Sequence, residues 1–283
     1  MKITKIKKYS FFASFIVISV IISSCEPDKP KQNVVQPPVV DNTPEIPQIP
    51  YTIEKQYPHD VTSFTEGFLF HEGKLFESTG APDNMPQTKS LFGIVDLKTG
   101  KIDAKAELDR TIYFGEGIVF LNGKFFQLTY KNQTGFIYDA KTFKNIGKFN
   151  YTNREGWGLT TDGKSLIMSD GTSYITYLDP TSFAVTKTLD VAENGYVVVN
   201  INELEYIKGF IYANIWMTNT IVKIDPNTGD VVGKIDISNL FNESKTKNPN
   251  SVETNGIAYD SISDKILVTG KLWPTIYEIK FPL

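Results

Sequence analysis

Glutamate–glycine pairs that begin at Glu66, Glu116 and Glu155 recur along this chain, and each of these stands in front of apolar residues. A carboxyl group in apolar surroundings has a raised pKa and can act as a general acid and base near neutral pH. Aromatic residues accompany the pairs in the sequence: Phe64, Phe114, Tyr130, Trp157 and Trp216. Carboxylates beside aromatic rings are one way to build a small pocket with apolar walls. The pattern predicts acid–base chemistry in such a pocket, and for most of these glutamates the alternative is a structural role in bonding neighbouring repeats.

The glutamates belong to an internal repeat. Aligned on these pairs, the chain gives five segments, which begin at Glu66, Glu116, Glu155, Glu203 and Asn255. Each segment contains an apolar run, a turn and a second apolar run, and four of them continue through a turn such as "IDPNTG". Four short strands in a segment of roughly 40 to 50 residues are typical of a propeller blade. The sequence therefore predicts an all-β fold, a five-bladed β-propeller, over residues 51–283.

The two ends of this region are predicted to complete one blade. The fifth segment ends at Leu283 after three strands, and the alternating stretch "YTIEKQY" at 51–57 precedes the first segment. Pairing of these stretches closes the ring and removes the exposed sheet edges. A β-sandwich, the rival fold, explains neither the repeat nor its truncated last copy. The inner strands then begin at one mouth of a central channel, where crowded carboxyl groups should have raised pKa values.

The N-terminal segment is typical of an exported protein. Residues 1–24 combine a lysine-rich start with an apolar stretch that is short for a membrane span. The following "IISSC" resembles the lipobox of bacterial lipoproteins, and the proline-rich residues 25–50 indicate an extended tether. We expect an exported bacterial lipoprotein, held at the cell envelope or surface by a lipid on Cys25. An ordinary signal peptide with an incidental cysteine is the alternative.

Composition excludes several classes of function. The net charge is −3 and no basic run follows the signal, so the chain lacks the positive face that nucleic acids require. Cys25 is the only cysteine, and the chain contains two histidines. Neither an internal disulfide nor a His/Cys zinc cluster is therefore expected.

Several motifs resemble the plant-type and bacterial glutamine cyclotransferases: "HDVTSFTEG", "FGEGI", "EGWGLTTDG", "NELEY" and "TGKLWP". The similarity runs from about His59 to Phe281. That family folds as a five-bladed propeller and converts the N-terminal glutamine of a peptide into pyroglutamate, with release of ammonia and without a catalytic metal. The resemblance implies an enzyme that needs no cofactor and whose partner is a peptide or protein with an N-terminal glutamine. We expect a monomer that reaches the membrane only through its lipid.

The resemblance also assigns catalytic residues. Glu116 of "FGEG" corresponds to the central acid and base of the family, whereas Asn202 and Lys271 correspond to polar pocket residues that could stabilise an oxyanion. A strand-end cap for Asn202 and a solvated loop lysine for Lys271 are the structural alternatives. The expected substrate-binding residues are Phe64, Glu66, Phe114, Tyr130, Trp157 and Trp216. Two of them depart from the family, which commonly has glutamine in place of Glu66 and tryptophan in place of Tyr130.

Two other functions stay open at this point. A metal-dependent propeller hydrolase or lactonase would use the same ring of acids to hold calcium. Glu66 slightly favours that function, whereas the aromatic walls do not. A non-catalytic propeller that displays ligands or partners at the cell surface is the second alternative. Chelator-insensitive release of ammonia from Gln-peptides would exclude both.

Overall fold

The computed structural model describes residues 45–283, so the predicted signal peptide, Cys25 and most of the predicted tether lie outside the described residues. The described chain contains 22 β-strands and one α-helix. Five four-stranded antiparallel sheets and one two-stranded hairpin account for all of these strands. The arrangement confirms the predicted all-β, five-bladed propeller.

Four blades each take four strands that are consecutive in the sequence. Strand β1, Thr52–Pro58, precedes them. Blade 1 contains β2 Thr65–His71, β3 Lys74–Thr79, β4 Leu91–Val95 and β5 Ile102–Glu107. Blade 2 contains β6 Gly115–Leu121, β7 Lys124–Thr129, β8 Thr134–Asp139 and β9 Asn145–Asn150. Blade 3 contains β10 Leu159–Thr161, β11 Leu166–Met168, β12 Tyr174–Leu178 and β13 Val185–Asp190.

The remaining elements follow in chain order. The hairpin between blades 3 and 4 contains β14 Ala192–Glu193 and β15 Tyr196–Val197. Blade 4 contains β16 Ile201–Ile207, β17 Phe210–Ile215, β18 Thr220–Ile224 and β19 Val231–Asp236. The connection to blade 5 contains helix α1, Ser238–Lys247. Blade 5 contains β20 Thr254–Asp260, β21 Lys265–Gly270 and β22 Thr275–Lys280.

The fifth blade is completed by β1, as predicted. β1 pairs antiparallel with β22, from Thr52 opposite Lys280 to Pro58 opposite Thr275. The order of this sheet is β1-β22-β21-β20, so its outermost strand comes from the start of the propeller and the other three come from its end. Backbone hydrogen bonds between the two ends of the domain therefore hold the ring closed.

The last residues of the predicted tether already lie on the propeller. The Ile49 N–H donates to the Lys234 carbonyl at 2.7 Å, and the Lys234 N–H donates to the Pro47 carbonyl at 3.0 Å. Ile46 and Ile49 also pack against buried clusters of the propeller. The packed chain therefore starts a few residues before the predicted boundary at residue 50, because these two isoleucines find apolar partners on blade 4.

The hydrophobic core is divided among the five interfaces between neighbouring blades. Five clusters of buried apolar residues each draw on two adjacent blades. Between blades 1 and 2, for example, Phe76 and Phe92 meet Phe125 and Phe136. Full burial of one such ring contributes about 1.5–3 kcal/mol. Each blade is thus stabilised by both neighbours, and the inner strands are held rigidly around the axis.

Helix α1 covers part of the interface between blades 4 and 5. Its Leu240 is fully buried in that cluster, and its Phe241 ring lies 6.2 Å from the Trp273 ring, centroid to centroid. Trp273 is itself fully buried, and its indole N–H donates to the Val252 carbonyl at 2.9 Å. This tryptophan therefore belongs to the core. Within residues 45–283, no helix combines the length and the apolar character that crossing a membrane requires.

Candidate active site

Irregularities at the start of the inner strands position the predicted polar residues. The pairing register of β2, β6, β16 and β20 shifts at the same place in each repeat. The residues left out of the ladder there include Glu66, Glu116, Asn202 and Asn255. A β-bulge leaves its extra residue unpaired and changes the direction of the side chain. The repeated bulge thus brings one polar group from each of four blades to the same mouth of the channel.

Blade 3 differs at this position, because the residue that corresponds to Glu116 there is Trp157 and not Glu155. A Cβ added to Gly117 of blade 2 would lie 2.7 Å from the carbonyl carbon of Gly158 in blade 3. Trp157 and Gly158 therefore occupy the repeat position, and the interpretation of Glu155 as its first residue is wrong. Glu155 instead accepts a hydrogen bond from Trp157 Nε1 at 2.9 Å, which orients the indole ring.

All nine predicted catalytic and substrate-binding residues line one cavity of about 270 Å³. The complete lining consists of Phe64, Glu66, Pro82, Phe114, Glu116, Tyr130, Trp157, Asn202, Trp216, Glu253 and Lys271. Four of these residues carry charge, one carries an amide and the others are apolar or aromatic. Such a composition suits a small ligand with one apolar face and a few polar atoms.

The cation of the cavity is Lys271, which is paired with Glu66. Lys271 Nζ lies 2.8 Å from Glu66 Oε1 and 4.6 Å from the centroid of the Phe64 ring. Asn255 Nδ2 donates to Glu66 Oε2 at 3.1 Å, so both oxygens of this carboxylate have partners. Burial raises the pKa of Glu66 to about 7, although Lys271 opposes the shift. Burial alone would lower the pKa of Lys271, but Glu66 and Glu116 raise it above its ordinary value, so the lysine stays charged.

Glu116 has an oxygen that no protein group satisfies. The residue is only 4% exposed, and its Oε2 has no hydrogen-bond partner among the described residues. Burial and the charge of Glu66 raise the pKa of Glu116 well above its ordinary value. These shifts confirm the prediction that acids crowded at this mouth have raised pKa values.

Aromatic rings form two walls of the cavity. Phe64, Phe114 and Tyr130 contact one another in series, with centroids 6.0 Å and 5.8 Å apart. Trp157 and Trp216 meet edge to face with their centroids 5.7 Å apart. Each such pair contributes about 0.5–1.5 kcal/mol beyond simple burial. The rings therefore support one another, and the walls are formed before any ligand arrives.

The comparisons with known proteins agree with this geometry. A family model described as glutamine cyclotransferase matches residues 20–281. The chain belongs to the glutamine cyclotransferase family. A glutaminyl-peptide cyclotransferase from Arabidopsis thaliana is 40% identical over 227 residues, which cover 80% of this chain and 69% of that protein. The crystal structure of Myxococcus xanthus glutaminyl cyclase superimposes with a TM-score of 0.74 at 33% identity, covering 84% of this chain and 98% of that chain.

Two residues of the cavity lining were not predicted, namely Pro82 and Glu253. Pro82 lies in the loop after β3, where Arg110 donates to the Pro82 carbonyl at 2.9 Å and to the Thr88 carbonyl at 2.9 Å. Glu253 precedes β20, and its carbonyl accepts a hydrogen bond from the Lys271 N–H at 2.9 Å. Neither residue stands at the repeat position, so the repeat carried no signal for them.

The two polar groups predicted to stabilise an oxyanion, Asn202 and Lys271, both line the cavity. Asn202 Oδ1 is buried without a partner among the described residues, and an unpaired acceptor suits an N–H group of a ligand. The Asn202 backbone is fixed by the Ser169 hydroxyl, which donates to its carbonyl at 2.6 Å. Lys271 is only 5% exposed, so the alternative of a solvated loop lysine is wrong. Its ammonium contacts Glu66.

A buried pair of His59 and Glu77 lies next to the cavity and supports it. His59 Nε2 lies 3.1 Å from Glu77, and His59 Nδ1 lies 2.8 Å from the Trp273 carbonyl. The Thr65 hydroxyl donates to Glu77 at 2.7 Å, directly beside the bulge that carries Glu66. His59 thus joins blade 1 to blade 5 next to the cavity. In residues 45–283, no three or more His, Cys, Asp or Glu side chains are grouped to hold a metal ion.

The other acids of the inner strands lie deeper in the channel. Glu203 accepts hydrogen bonds from the Phe68 N–H at 3.2 Å and the Ile257 N–H at 2.8 Å. Glu205 accepts one from the Tyr259 N–H at 2.9 Å. Each of these carboxyl groups therefore joins blade 4 to another blade, which is the structural role that the sequence allowed for most of the acids.

Proposed function

We propose that this protein is a glutaminyl-peptide cyclotransferase, which converts the N-terminal glutamine of peptides and proteins into pyroglutamate and releases ammonia. The observation that carries the proposal is the buried, unpartnered Oε2 of Glu116 in an aromatic cavity. Membership of the family and the names of the two relatives support the same activity.

The cavity suits the folded-back glutamine that the reaction needs. The α-amine must approach the side-chain amide carbon of its own residue to close a five-membered ring. Holding reacting atoms together in this way can supply about 7–11 kcal/mol of the barrier reduction in well-oriented systems. Two aromatic walls confine the aliphatic part of the side chain, and the polar groups at the channel mouth meet its nitrogen and oxygen atoms.

Glu116 transfers the proton. The α-nitrogen attacks the amide carbon, the new C–N bond forms, and ionised Glu116 accepts a proton from that nitrogen. Glu116 then returns the proton to the side-chain nitrogen, the old C–N bond breaks, and ammonia leaves. The raised pKa of Glu116 makes its carboxylate a stronger base than an exposed one, which favours acceptance of the proton that the same group then returns. Such catalysis contributes about 10²–10⁴-fold.

The neighbouring groups orient the reacting atoms. Asn202 Oδ1 accepts a hydrogen bond from an N–H of the bound glutamine, which satisfies its buried oxygen. Lys271, held by Glu66, supplies positive charge beside the amide oxygen as negative charge develops there. Glu66 in turn keeps the site from having an unbalanced buried cation.

The alternative function, a metal-dependent hydrolase, conflicts with the position of Lys271. The Lys271 ammonium already lies 2.8 Å from Glu66 at the channel mouth, where a calcium ion would have to bind the same acids. A cation in that position repels a second one. A purely ligand-displaying propeller, for its part, has no need of a buried carboxyl group with an unsatisfied oxygen at the base of a cavity.

An assay with Gln-peptides tests the proposal. The purified protein, incubated with a short peptide that begins with glutamine, should release one ammonia per peptide and yield the pyroglutamyl product by mass spectrometry. Added chelator should not change the rate, and the same peptide with N-terminal asparagine should react much more slowly because its ring would be four-membered. Failure to form pyroglutamate above the spontaneous rate would overturn the proposal.

Export and anchoring form a separate part of the proposal. The motif "IISSC" and the proline-rich stretch behind it support a mature protein that begins at Cys25 and carries acyl chains there. Such a protein would be a monomer held at the bacterial cell envelope by lipid alone. Replacing Cys25 with alanine should move the protein from the membrane fraction to the soluble fraction. Retention of Cys25→Ala in salt-washed membranes would contradict the anchor without touching the enzymatic proposal.

A further inference from the structure

The lining of the cavity divides into a buried floor and a half-exposed rim. The floor consists of Glu66, Glu116, Asn202 and Lys271, none of which is more than 5% exposed. The other lining residues keep part of their surface open to solvent, and all but one of them are aromatic residues or proline. The exception is Glu253, the only charged side chain among the described residues of this rim.

The charge of Glu253 has no counter-charge in the protein. Its side chain forms no hydrogen bond or ion pair with any residue that the structure describes, and the nearby Lys271 Nζ pairs with Glu66 instead, at 2.8 Å. Burial is the main cause of the raised pKa of Glu66, and the negative charge of Glu253 raises it further. Because Glu66 already balances Lys271, the negative charge at the rim is left for a ligand.

The backbone that carries Glu253 is fixed. The Val252 N–H donates to the Lys271 carbonyl, and the Lys271 N–H donates to the Glu253 carbonyl, both at 2.9 Å. The indole N–H of the buried Trp273 donates to the Val252 carbonyl at 2.9 Å. The carboxylate therefore starts from a defined place at the rim, and a ligand that binds it does not have to order the backbone.

The residue after the N-terminal glutamine is the part of a substrate that meets this rim. The α-amine and the side-chain amide must both lie in the floor beside Glu116 for the ring to close. The Cα atom of the next residue lies about 3.8 Å further along the chain, which brings its side chain to the rim. A lysine or arginine at that place can lay its aliphatic stem along the aromatic wall and set its cation against Glu253.

A positive charge lies on another part of the mouth. The Lys131 ammonium lies 4.4 Å from the centroid of the Tyr130 ring, and Tyr130 follows β7 of blade 2. Glu253 precedes β20 of blade 5, so blade 1 lies between the two charges. Glu253 belongs to the cavity lining, whereas Lys131 does not. The charge that a bound peptide meets first is therefore negative.

We propose that Glu253 determines specificity at the second residue of the substrate, and that the enzyme prefers peptides in which lysine or arginine follows the N-terminal glutamine. The inference rests on the proposed function, because it extends the same cavity along the substrate. An ion pair between exposed groups changes an equilibrium by up to about fivefold. Glu253 is half-buried beside aromatic rings, where a charge is screened less, so kcat/KM should rise about 3- to 10-fold.

The first experiment compares Gln-Lys amide, Gln-norleucine amide and Gln-Glu amide. Norleucine has the aliphatic chain of lysine without the ammonium group, so the first two substrates separate charge from apolar contact. The wild type should prefer Gln-Lys amide to Gln-norleucine amide about 3- to 10-fold in kcat/KM, and Gln-Glu amide should be the poorest substrate. The preference should shrink as the ionic strength rises from about 0.1 M to about 1 M.

Two results with the wild type would overturn the inference. Equal kcat/KM on Gln-Lys amide and Gln-norleucine amide would show that Glu253 does not meet the second residue. A preference for Gln-Glu amide would show that the chain leaves the cavity past Lys131.

Variants test whether Glu253 is the cause of the preference. Glu253→Gln keeps the size of the side chain and removes its charge, so the ratio of kcat/KM between the lysine and norleucine substrates should fall to about 1. Glu253→Lys should favour Gln-Glu amide. Each ratio is taken within one protein, so a change common to all substrates cancels. A lysine preference that persists in Glu253→Gln would overturn the inference.

Glu72→Gln is the matched control. The Glu72 side chain is 80% exposed and lies in the turn after β2, at the other end of that strand from Glu66. This variant loses the same charge far from the cavity and should keep the wild-type ratio.

A binding measurement separates this inference from the proposed reaction. A peptide with norvaline in place of glutamine cannot cyclise, and the fluorescence of Trp157 and Trp216 in the cavity lining reports its binding. Norvaline-Lys amide should bind the wild type about 3- to 10-fold more tightly than norvaline-norleucine amide, and Glu253→Gln should not distinguish them. This result supports the role of Glu253 even if no pyroglutamate forms, whereas equal binding to the wild type contradicts it even if cyclisation succeeds.

Discussion

The central channel contains buried carboxyl groups at two depths, and they differ in what surrounds them. At the cavity, Glu116 Oε2 has no partner among the described residues, and Glu66 is neutralised by Lys271. Deeper in the channel, both oxygens of Glu203 accept backbone N–H groups from other blades. Glu205 likewise accepts from a backbone N–H and from the Thr160 hydroxyl at 3.2 Å.

A raised pKa is common to both depths. Burial raises the pKa of Glu205 to about 8 and that of Glu203 well above its ordinary value, as it does for Glu116. The pKa shift therefore does not distinguish a catalytic glutamate from a structural one. What distinguishes them is whether the protein itself uses the oxygens: saturated acids join blades, and an unsatisfied acid in a cavity is left for a ligand.

The largest effect is expected from Glu116→Gln. The amide keeps the size of the side chain but cannot accept and return a proton, so kcat should fall about 10²–10⁴-fold with little change in KM. The melting temperature should stay near that of the wild type, because Oε2 has no protein partner to lose. Steady-state kinetics with a Gln-peptide and a thermal melt measure both. A folded variant with full activity would refute the mechanism.

Lys271→Met should have the next largest effect. It removes the cation but keeps an apolar side chain of similar length beside Phe64, and kcat/KM should fall about 10²-fold. Stability should also fall by about 3–5 kcal/mol, because Glu66 loses its buried partner. The double variant with Glu66→Gln should regain stability and not activity. Lys247→Met, which removes a half-exposed lysine 2.7 Å from Glu243, is the matched control.

Glu203→Gln makes the same chemical change in the deeper layer and should have the opposite outcome. One of the two backbone N–H groups would face an amide nitrogen, which costs about 1–3 kcal/mol. For a domain of this size the melting temperature should drop by roughly 2–10 °C. The kcat of the folded protein should be retained. A selective loss of turnover without a loss of stability would contradict the assignment of a structural role to Glu203 and a catalytic role to Glu116.

The smallest effect is expected from Glu66→Gln, in the pH profile. Activity requires ionised Glu116 and is lost as the pH falls through its pKa. The charge of Glu66 raises that pKa, so its removal should lower the pKa and leave Lys271 free to stabilise ionised Glu116. The acidic limb of kcat/KM should therefore move to lower pH. Because one peptide is used for both proteins, its own amine titrates equally in the two profiles. An unchanged limb would contradict the coupling.

Most of the fold could be predicted because the sequence repeats. The segments that begin at Glu66, Glu116 and Asn255 recur at blade spacing with their turns and apolar runs, and the fifth segment lacked its last strand. The nine predicted site residues came from that repeat and from the resemblance to a family. They meet in one cavity because a propeller brings the same position of every blade to one mouth.

Other features depend on contacts that no local pattern contains. The Glu-Gly pair at Glu155 matched the repeat in letters, but packing against Gly117 selected Trp157–Gly158 instead. Glu253 lies at the cavity because the chain after α1 returns to the axis beside Lys271. The side-chain partners of Lys271 and Asn202 depend on their rotamers. These rotamers are set by neighbours in the folded structure and cannot be inferred from the local sequence.

Closure of the ring by β1 sets the order in which this domain can form. β1 pairs with β22, which lies more than 200 residues later, so the pairing forms one of the longest-range contacts in the chain. The entropy of closing such a loop must be overcome before the last interface is gained, and long-range contacts slow folding. A circular permutant that joins Leu283 to Tyr51 would turn this contact into a local hairpin. It should refold faster, as stopped-flow tryptophan fluorescence would show; an unchanged rate would place the slow step elsewhere.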